Sequence, residues 1–274
     1  MKDHLSDLPL QDVRYFEQID STNDEARRWL EQEIPGCALV VANEQTAGRG
    51  RSGRRWYTPK NSALAFSLIL SNFSEYAEPS AAWATALGAL AVCQALEDLY
   101  QLPAIIKWPN DVLVFNKKIC GILSEAFWDG DALLAIILGL GINVAPSSLP
   151  EQSDPSLPAT CIDDCLAHHE PSKTKHADRW QILHAVLSYI LNWQNRCSIN
   201  DLMDAWENRL AYRDQWVKVY TEVNSEGVLT NTQTKEGKVL GLANDGSLIL
   251  IDGLGSIFHL HSGEIRLRLL DKDQ

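Results

Sequence analysis

Gln45-Thr46-Ala47-Gly48-Arg49-Gly50-Arg51-Ser52-Gly53-Arg54-Arg55-Trp56 stands between two apolar runs, Ala38–Ala42 and Ala63–Leu70. The flanks predict two strands, and the run predicts the loop that joins them. Arg49, Arg51, Arg54 and Arg55 fall close together in a chain whose formal net charge is −12. Guanidinium forks, with glycines that let backbone N–H groups approach a ligand, point to an anion site with phosphate as the expected guest.

Upstream of the first strand, Asp20-Ser21-Thr22-Asn23 precedes Asp24-Glu25-Ala26-Arg27-Arg28-Trp29-Leu30. A capping residue followed by acidic ones predicts a helix start, which can also hold a polar ligand group. Downstream, the alanine- and leucine-rich stretch 79–100 predicts a long buried helix, with Pro79 in its first turn. The short apolar runs 104–107, 112–115, 119–128 and 133–144 are separated by turns such as Pro109-Asn110-Asp111 and Asp129-Gly130-Asp131, and predict a sheet of hairpins.

Residues 146–175 are rich in proline, serine and charge, and predict a surface excursion with one short helix at 162–167. Segments 178–197 and 202–210 have helical spacing, with Trp180, Leu183, Leu187, Ile190 and Leu191 on one face of the first. After Tyr212 the texture changes to short strands, with an Asp-Gly hairpin signal in Ala243-Asn244-Asp245-Gly246-Ser247. The expected organisation is an α+β unit over 1–212, a mixed sheet with helices, followed by a small β-barrel over 213–274.

A length of 274 residues suits one large core with an appendix. The acidic balance, with an isoelectric point near 5.0, opposes nucleic-acid binding. No secretory leader and no membrane-spanning apolar run are visible, so a cytoplasmic protein is expected. The cysteines at 37, 93, 120, 161, 165 and 197 are too sparse for a disulfide scaffold. Cys161, Cys165, His168 and His169 could tempt a zinc reading, but adjacent histidines do not easily share one tetrahedron.

Four polar clusters end apolar elements: Ser21-Thr22-Asn23, the arginine loop, Lys107-Trp108-Pro109-Asn110-Asp111 with Lys117-Lys118, and Gly139-Leu140-Gly141-Ile142-Asn143. Together with Lys118-Ile119-Cys120-Gly121-Ile122-Leu123, Glu125 and Gly263-Glu264-Ile265, they resemble the biotin protein ligases in order and spacing, from about residue 14 to residue 270. The resemblance implies a class II synthetase-like biotin/lipoate ligase fold followed by an SH3-like β-barrel. It also implies a two-step reaction. Biotin and ATP with Mg2+ give biotinyl-5′-AMP and pyrophosphate, and a lysine of a biotin carboxyl carrier protein, that of acetyl-CoA carboxylase, then takes the biotin. Two anions must meet in the first step, so cations are needed to hold them.

Carried over by position, the resemblance implies that Ser21, Thr22, Asn23 and Gln45 contact biotin. Arg49, Gly50 and Arg51 would line the junction of biotin carboxylate and adenylate, Arg51 and Arg54 would face phosphates, and Trp56 would pack near adenine. Lys118 would bridge carboxylate and α-phosphate beside Gly121, with Lys117 the neighbour most easily confused with it. Lys118, Arg51 and Asp111 are the expected catalytic residues, Asp111 orienting Lys118 or the magnesium-bound phosphates. Asn143 would contact adenine, and Arg268 would close over ATP, separated from Arg266 by registration alone. No protein metal centre is expected.

Some members of the family carry a DNA-binding winged helix ahead of the ligase unit. Fewer than twenty residues precede the first matching segment here, so no repressor activity and no DNA partner are expected, and the lack of a long apolar run argues against a membrane partner. Relatives pair subunits through the hairpin region that here holds Trp128-Asp129-Gly130-Asp131, which makes a homodimer one expected arrangement. A lipoate or octanoate ligase of the same broad fold is the alternative enzyme, disfavoured by Lys107 to Asp111 and the arginine loop. A non-catalytic sensor of biotin or adenylate is the alternative outside enzymes.

Overall fold

Strands β2 (Ala38–Ala42) and β3 (Ala63–Leu70) are buried at every position, so both faces of their sheet are covered. The computed structural model describes residues 2–71, 80–151, 157–169, 176–221, 233–261 and 265–269; side chains are described outside 2–3, 220–221, 233–234 and 265–269. With β1 (Asp12–Phe16), β4 (Ala104–Lys107), β5 (Asp111–Val114), β6 (Lys117–Asp129) and β7 (Ala132–Asn143), these strands form a seven-stranded sheet in the order β1-β2-β3-β7-β6-β5-β4. Only the β1–β2 pair is parallel.

The period of two sorts the side chains. Leu64, Phe66, Leu68 and Leu70 of β3 and Ile136, Leu138, Leu140 and Ile142 of β7 belong to the core shared with α2 (Ala81–Tyr100) and α4 (Arg179–Arg196). Ala38, Val40, Ile69, Ala135 and Ile137 pack instead with Ala26, Trp29 and Leu30 of α1 (Thr22–Leu30). Each fully buried Leu, Ile or Phe stabilises the fold by about 1.5–3 kcal/mol relative to exposure. On β7 the odd positions beyond Ile137 are Gly139, Gly141 and Asn143, so the apolar cover on the α1 side gives way to backbone.

Ser21 caps α1, accepting from the Asp24 N–H, and Ser80 caps α2, accepting from the Trp83 N–H. The expected Pro79 start lies outside the described residues, and α2 begins at Ala81. Two sequence expectations shift for identifiable reasons. Phe115 was expected to extend a strand, but Phe115 and Asn116 adopt φ of 50° and 61° and form the turn between β5 and β6, where a two-residue reversal requires positive φ. The expected 202–210 helix is α5 (Ile199–Asn208), started earlier by a reciprocal capping box between Ser198 and Asp201. The short helix of the excursion is α3 (Ile162–His169).

The C-terminal part forms an antiparallel five-stranded sheet from β8 (Trp216–Thr221), β9 (Gln233–Leu242), β10 (Leu248–Ile251), β11 (Ile257–Leu260) and β12 (Ile265–Leu269), in the order β11-β10-β9-β8-β12. This is the small SH3-like β unit expected, and the Asp-Gly hairpin joins β9 to β10 with Gly246 at φ 78°. Its Val217, Val219, Val239, Leu248 and Leu250 share one core with Leu202, Met203 and Trp206 of α5. The buried Trp108 donates its Nε1–H to the Gly246 carbonyl at 3.0 Å, linking the end of β4 to the β9–β10 turn. Trp108→Phe leaves that carbonyl without its donor, and is expected to lower unfolding free energy by about 1–3 kcal/mol in urea titration.

Candidate active site

Where α1 begins and the side chains of β6 and β7 shrink, the arginine loop arches over a cavity of about 670 Å³, in the range of small-molecule sites. Ser21, Thr22, Asn23, Gln45, Arg49, Gly50, Arg51, Arg54, Trp56, Asp111, Lys118, Gly121 and Asn143, all predicted from sequence, line it. Arg268 lies on β12 opposite Lys218 of β8, and its side chain is outside the described residues. The loop is a narrow hairpin: Gly50 N–H donates to Arg54 O at 2.7 Å, Trp56 N–H donates to Gly48 O at 2.8 Å, and Ser52 and Gly53 turn at φ of 54° and 70°.

At one end of the cavity the polar groups lock one another. Gln45 Oε1 accepts from the Thr22 N–H at 2.8 Å and from Thr22 Oγ1 at 3.2 Å, while Gln45 Nε2 donates to Thr58 Oγ1 at 3.0 Å. Ser67, buried on β3, donates from Oγ to Asn23 Oδ1 at 2.6 Å. Asn23 Oδ1 rests over Gly139, where a Cβ would lie 2.0 Å from it. A methyl group there must break the Asn23 contacts, so Gly139→Ala is expected to cost about 1–3 kcal/mol of stability by chemical denaturation.

The floor is backbone. Gly121 and Gly141 face each other across β6 and β7, and a Cβ on Gly141 would meet Trp56 Nε1 at 2.2 Å. The Trp56 ring therefore lies on the sheet itself, with Lys118 Nζ 5.4 Å from its centroid. Its Nε1 is buried without a hydrogen-bond partner among the described residues.

At the other end Lys118 Nζ lies 2.5 Å from Asp111 Oδ1, and Lys107 Nζ lies 3.7 Å from Oδ2. The choice between Lys117 and Lys118 is made by a β-bulge. Val112 pairs with Cys120 but Leu113 pairs with Lys118, so Ile119 is the extra residue. The insertion reverses the alternation of side chains and brings Lys118 to the face of Gly121, leaving Lys117 exposed. Burial alone would raise the Asp111 carboxyl pKa, but Lys118 and Lys107 outweigh it and hold the pKa below its ordinary value. A carboxyl depressed in the fold adds stability that is present above its unfolded value, about pH 4, and is lost as pH falls through the lower folded value. In Asp111→Asn this part of the acid limb is expected to disappear from unfolding measured between about pH 6 and about pH 3, with lower stability at neutral pH.

Arg51 is half-buried; burial lowers its pKa, Asp111 opposes that change and Arg54 adds to it. Asn143, itself buried, donates from Nδ2 to the Thr160 carbonyl at 3.0 Å. The excursion, which had no assigned role, is part of the wall. Ser148, Pro150, Leu157 and Ala159 line the cavity, and the segment bonds to Lys118 on both sides, Lys118 N–H to Pro158 O at 2.8 Å and Thr160 N–H to Lys118 O at 2.9 Å. Sequence reasoning also left Arg55, Tyr57, Ser67 and Lys107 without roles; the basic loop contains Arg55 and the Lys-Trp-Pro-Asn-Asp motif contains Lys107, and nothing local marked Tyr57 or Ser67.

Arg49, Arg51, Arg54, Arg55, Lys107 and Lys118 face the cavity with Asp111 as the one carboxylate among the described lining residues. Such a surface suits a ligand with several negative charges. Of Cys161, Cys165, His168 and His169, Cys165 Sγ sits 3.5 Å from Thr160 Oγ1 and His168 stacks edge-on against Phe115, and no cluster of three or more metal-binding side chains occurs among the described residues.

The model of the biotin/lipoate A/B protein ligase family matches residues 15–143. The bifunctional ligase/repressor BirA of Bacillus spizizenii is 30% identical over 263 residues, covering 94% of this chain and 74% of that protein. The biotin–[acetyl-CoA-carboxylase] ligase of Paracoccus denitrificans is 41% identical over 131 residues, covering 47% of this chain and 52% of that protein. The structure of the Aquifex aeolicus biotin protein ligase in complex with biotin and ATP aligns with a TM-score of 0.73 at 26% identity, covering 95% of this chain and 100% of that one. Similarity that runs through the cavity-forming segments and over nearly the whole chain leads to one conclusion: the chain belongs to the biotin/lipoate A/B protein ligase family, as a biotin protein ligase.

Proposed function

We propose that the enzyme activates biotin with ATP as biotinyl-5′-AMP and transfers it to a lysine of a biotin carboxyl carrier protein, that of acetyl-CoA carboxylase. The observation that carries this reading is the polarity of one cavity. Neutral donors and acceptors cluster at Thr22, Asn23 and Gln45, and cations cluster at Arg51, Arg54, Lys107 and Lys118. The first end suits the ureido ring, which has N–H donors and a carbonyl acceptor. The second suits the phosphates. Lys118, between the Trp56 ring and Asp111, is placed to offset the charge that builds where carboxylate oxygen attacks the α-phosphate. Arg51 and Arg54 face the departing pyrophosphate, Asn143 keeps its amide oxygen for the adenine amino group, and Arg268 closes over ATP.

Asp111 is the one carboxylate of the described cavity lining, and Lys118 and Lys107 already neighbour it. That set fits a magnesium ion that enters on the ATP phosphates better than one held by the protein alone. The ion would screen the phosphate charge when bound. The carrier lysine attacks the mixed anhydride once pyrophosphate has left, and AMP is released.

The same reading divides the chain into a ligand-binding unit, 1–212, and a C-terminal unit, 213–274, supported by the left-handed Tyr212 and Asp214 just before β8. The net charge of −12 favours a ligase that does not act on DNA. No described helix is long and apolar enough to cross a membrane, and all six cysteines are free thiols, which supports a cytoplasmic enzyme. Trp128 is exposed at the end of the β6–β7 hairpin and favours pairing of two subunits there.

Biotin-dependent exchange of labelled pyrophosphate into ATP, followed by transfer to a carrier domain, tests the reading. Lys118→Ala is expected to lower kcat for exchange by about 100- to 1000-fold, with the circular dichroism spectrum retained. Exchange driven by lipoate and not by biotin would overturn the assignment.

A further inference from the structure

We propose that Glu125 is a positioning residue that determines which way the Asn23 amide faces and thereby the enzyme's selection for the ureido ring; this rests on the biotin-ligase reading above. Glu125 lies behind the cavity wall, two residues beyond Leu123 on β6, where it pairs with Ile137 of β7. Its carboxylate is a junction. Oε2 accepts from Asn23 Nδ2 at 2.7 Å and from Arg49 Nη2 at 2.6 Å, and Oε1 accepts from Arg27 Nη2 at 3.0 Å. Asn23 and Arg27 are one helical turn apart on α1 and so reach the same carboxylate. Arg49 also reaches Asp24 Oδ1 at 2.9 Å, which closes a cluster of two acids and two arginines.

An asparagine amide has two N–H donors and two acceptor positions on oxygen. Both donors of Asn23 are engaged within the protein, one by Glu125 and the other by the Leu123 carbonyl at 3.2 Å. Its oxygen rests over Gly139, 2.6 Å from the Ser67 hydroxyl, which also lies 2.8 Å from Thr22 Oγ1, and an amide oxygen with two acceptor positions can take one donor more. The opposite rotamer would set the amide oxygen against a carboxylate and a carbonyl, so Glu125 makes Asn23 an acceptor toward the cavity. A ureido N–H satisfies that acceptor, whereas a dithiolane ring, as in lipoate, has no N–H and would bury it unpaired. Sites built to bond a ligand N–H discriminate strongly against analogues that lack it. The same carboxylate, with Asp24, turns Arg49 into part of the wall and leaves the anion end to the cations around Asp111.

The test is biotin-dependent pyrophosphate exchange by the full chain with Glu125→Leu, Glu125→Asp and Glu125→Gln. Leucine removes the acceptor, and KM for biotin is expected to rise about ten- to a hundredfold while KM for ATP stays within about threefold. Aspartate keeps the charge but withdraws the oxygens from Asn23, so its KM for biotin should also rise, about tenfold. Glutamine keeps the shape and can offer its oxygen to Asn23, so it should be the mildest of the three. If aspartate behaves like wild type while glutamine and leucine are equally impaired, Glu125 merely balances charge and the proposal fails. It fails equally if the variants lose thermal stability or active fraction with an unchanged KM for biotin. Should Glu125→Leu not fold, the order of the aspartate and glutamine variants still decides. Absence of biotin-dependent exchange in the wild type would instead refute the ligase reading, before any variant is compared.

Discussion

Burial of the ionised Asp111 between Lys107 and Lys118 is the constraint on which the site depends. A carboxylate taken out of water costs several kcal/mol unless charge and hydrogen bonds compensate it. Here two lysines do so, and one of them is available only because β6 carries an extra residue at Ile119. The bulge turns Lys118 from the core side of the sheet to the ligand side. The 157–160 segment then clamps the Lys118 backbone, so its direction is set by main-chain bonds as well as by the ion pair. Pre-set cations need little reorganisation when charge develops between two anionic substrates.

The two faces of the sheet are used differently. Toward α2 and α4, β3 and β7 present large aliphatic side chains that stabilise the fold by burial. Toward α1 the same strands present Ser67, Gly139 and Gly141, which contribute little apolar area but leave room for Asn23 and Trp56 to lie on the backbone. Stability and recognition are therefore divided between alternate residues of single strands. The C-terminal sheet is tied into the same arrangement by Trp108, one residue from the Lys107 that supports Asp111.

Much of the fold was legible because its elements are strongly patterned. The bounds of β2, β3 and β4 matched the apolar runs, and Ser21 announced α1. The misses had local causes. Phe115 has a strand-like side chain but occupies a turn that needs positive φ. The start of α5 depends on a capping box, Ser198 with Asp201, that its apolar spacing does not reveal. β1 is short and only partly buried, so its alternation is weak, and its pairing with β2 is a tertiary event. For the site, the motifs marked which residues gather, since glycine, arginine and lysine clusters at element ends carry their chemistry locally.

The sequence by itself determined the alternation that separates core from cavity, the helix cap at Ser21, the basic loop and the family to which these motifs belong. These are local properties, fixed by side-chain chemistry and spacing. Registration within the motif already singled out Lys118 over Lys117; only the tertiary structure decided that a bulge turns it to the cavity side, that the proline-rich excursion forms a wall, and that Ser67 and Glu125 converge on Asn23. Those outcomes depend on a one-residue shift in strand register and on contacts between residues as many as 102 positions apart. No local pattern encodes such contacts, because each exists only once the sheet has set the distance between its ends.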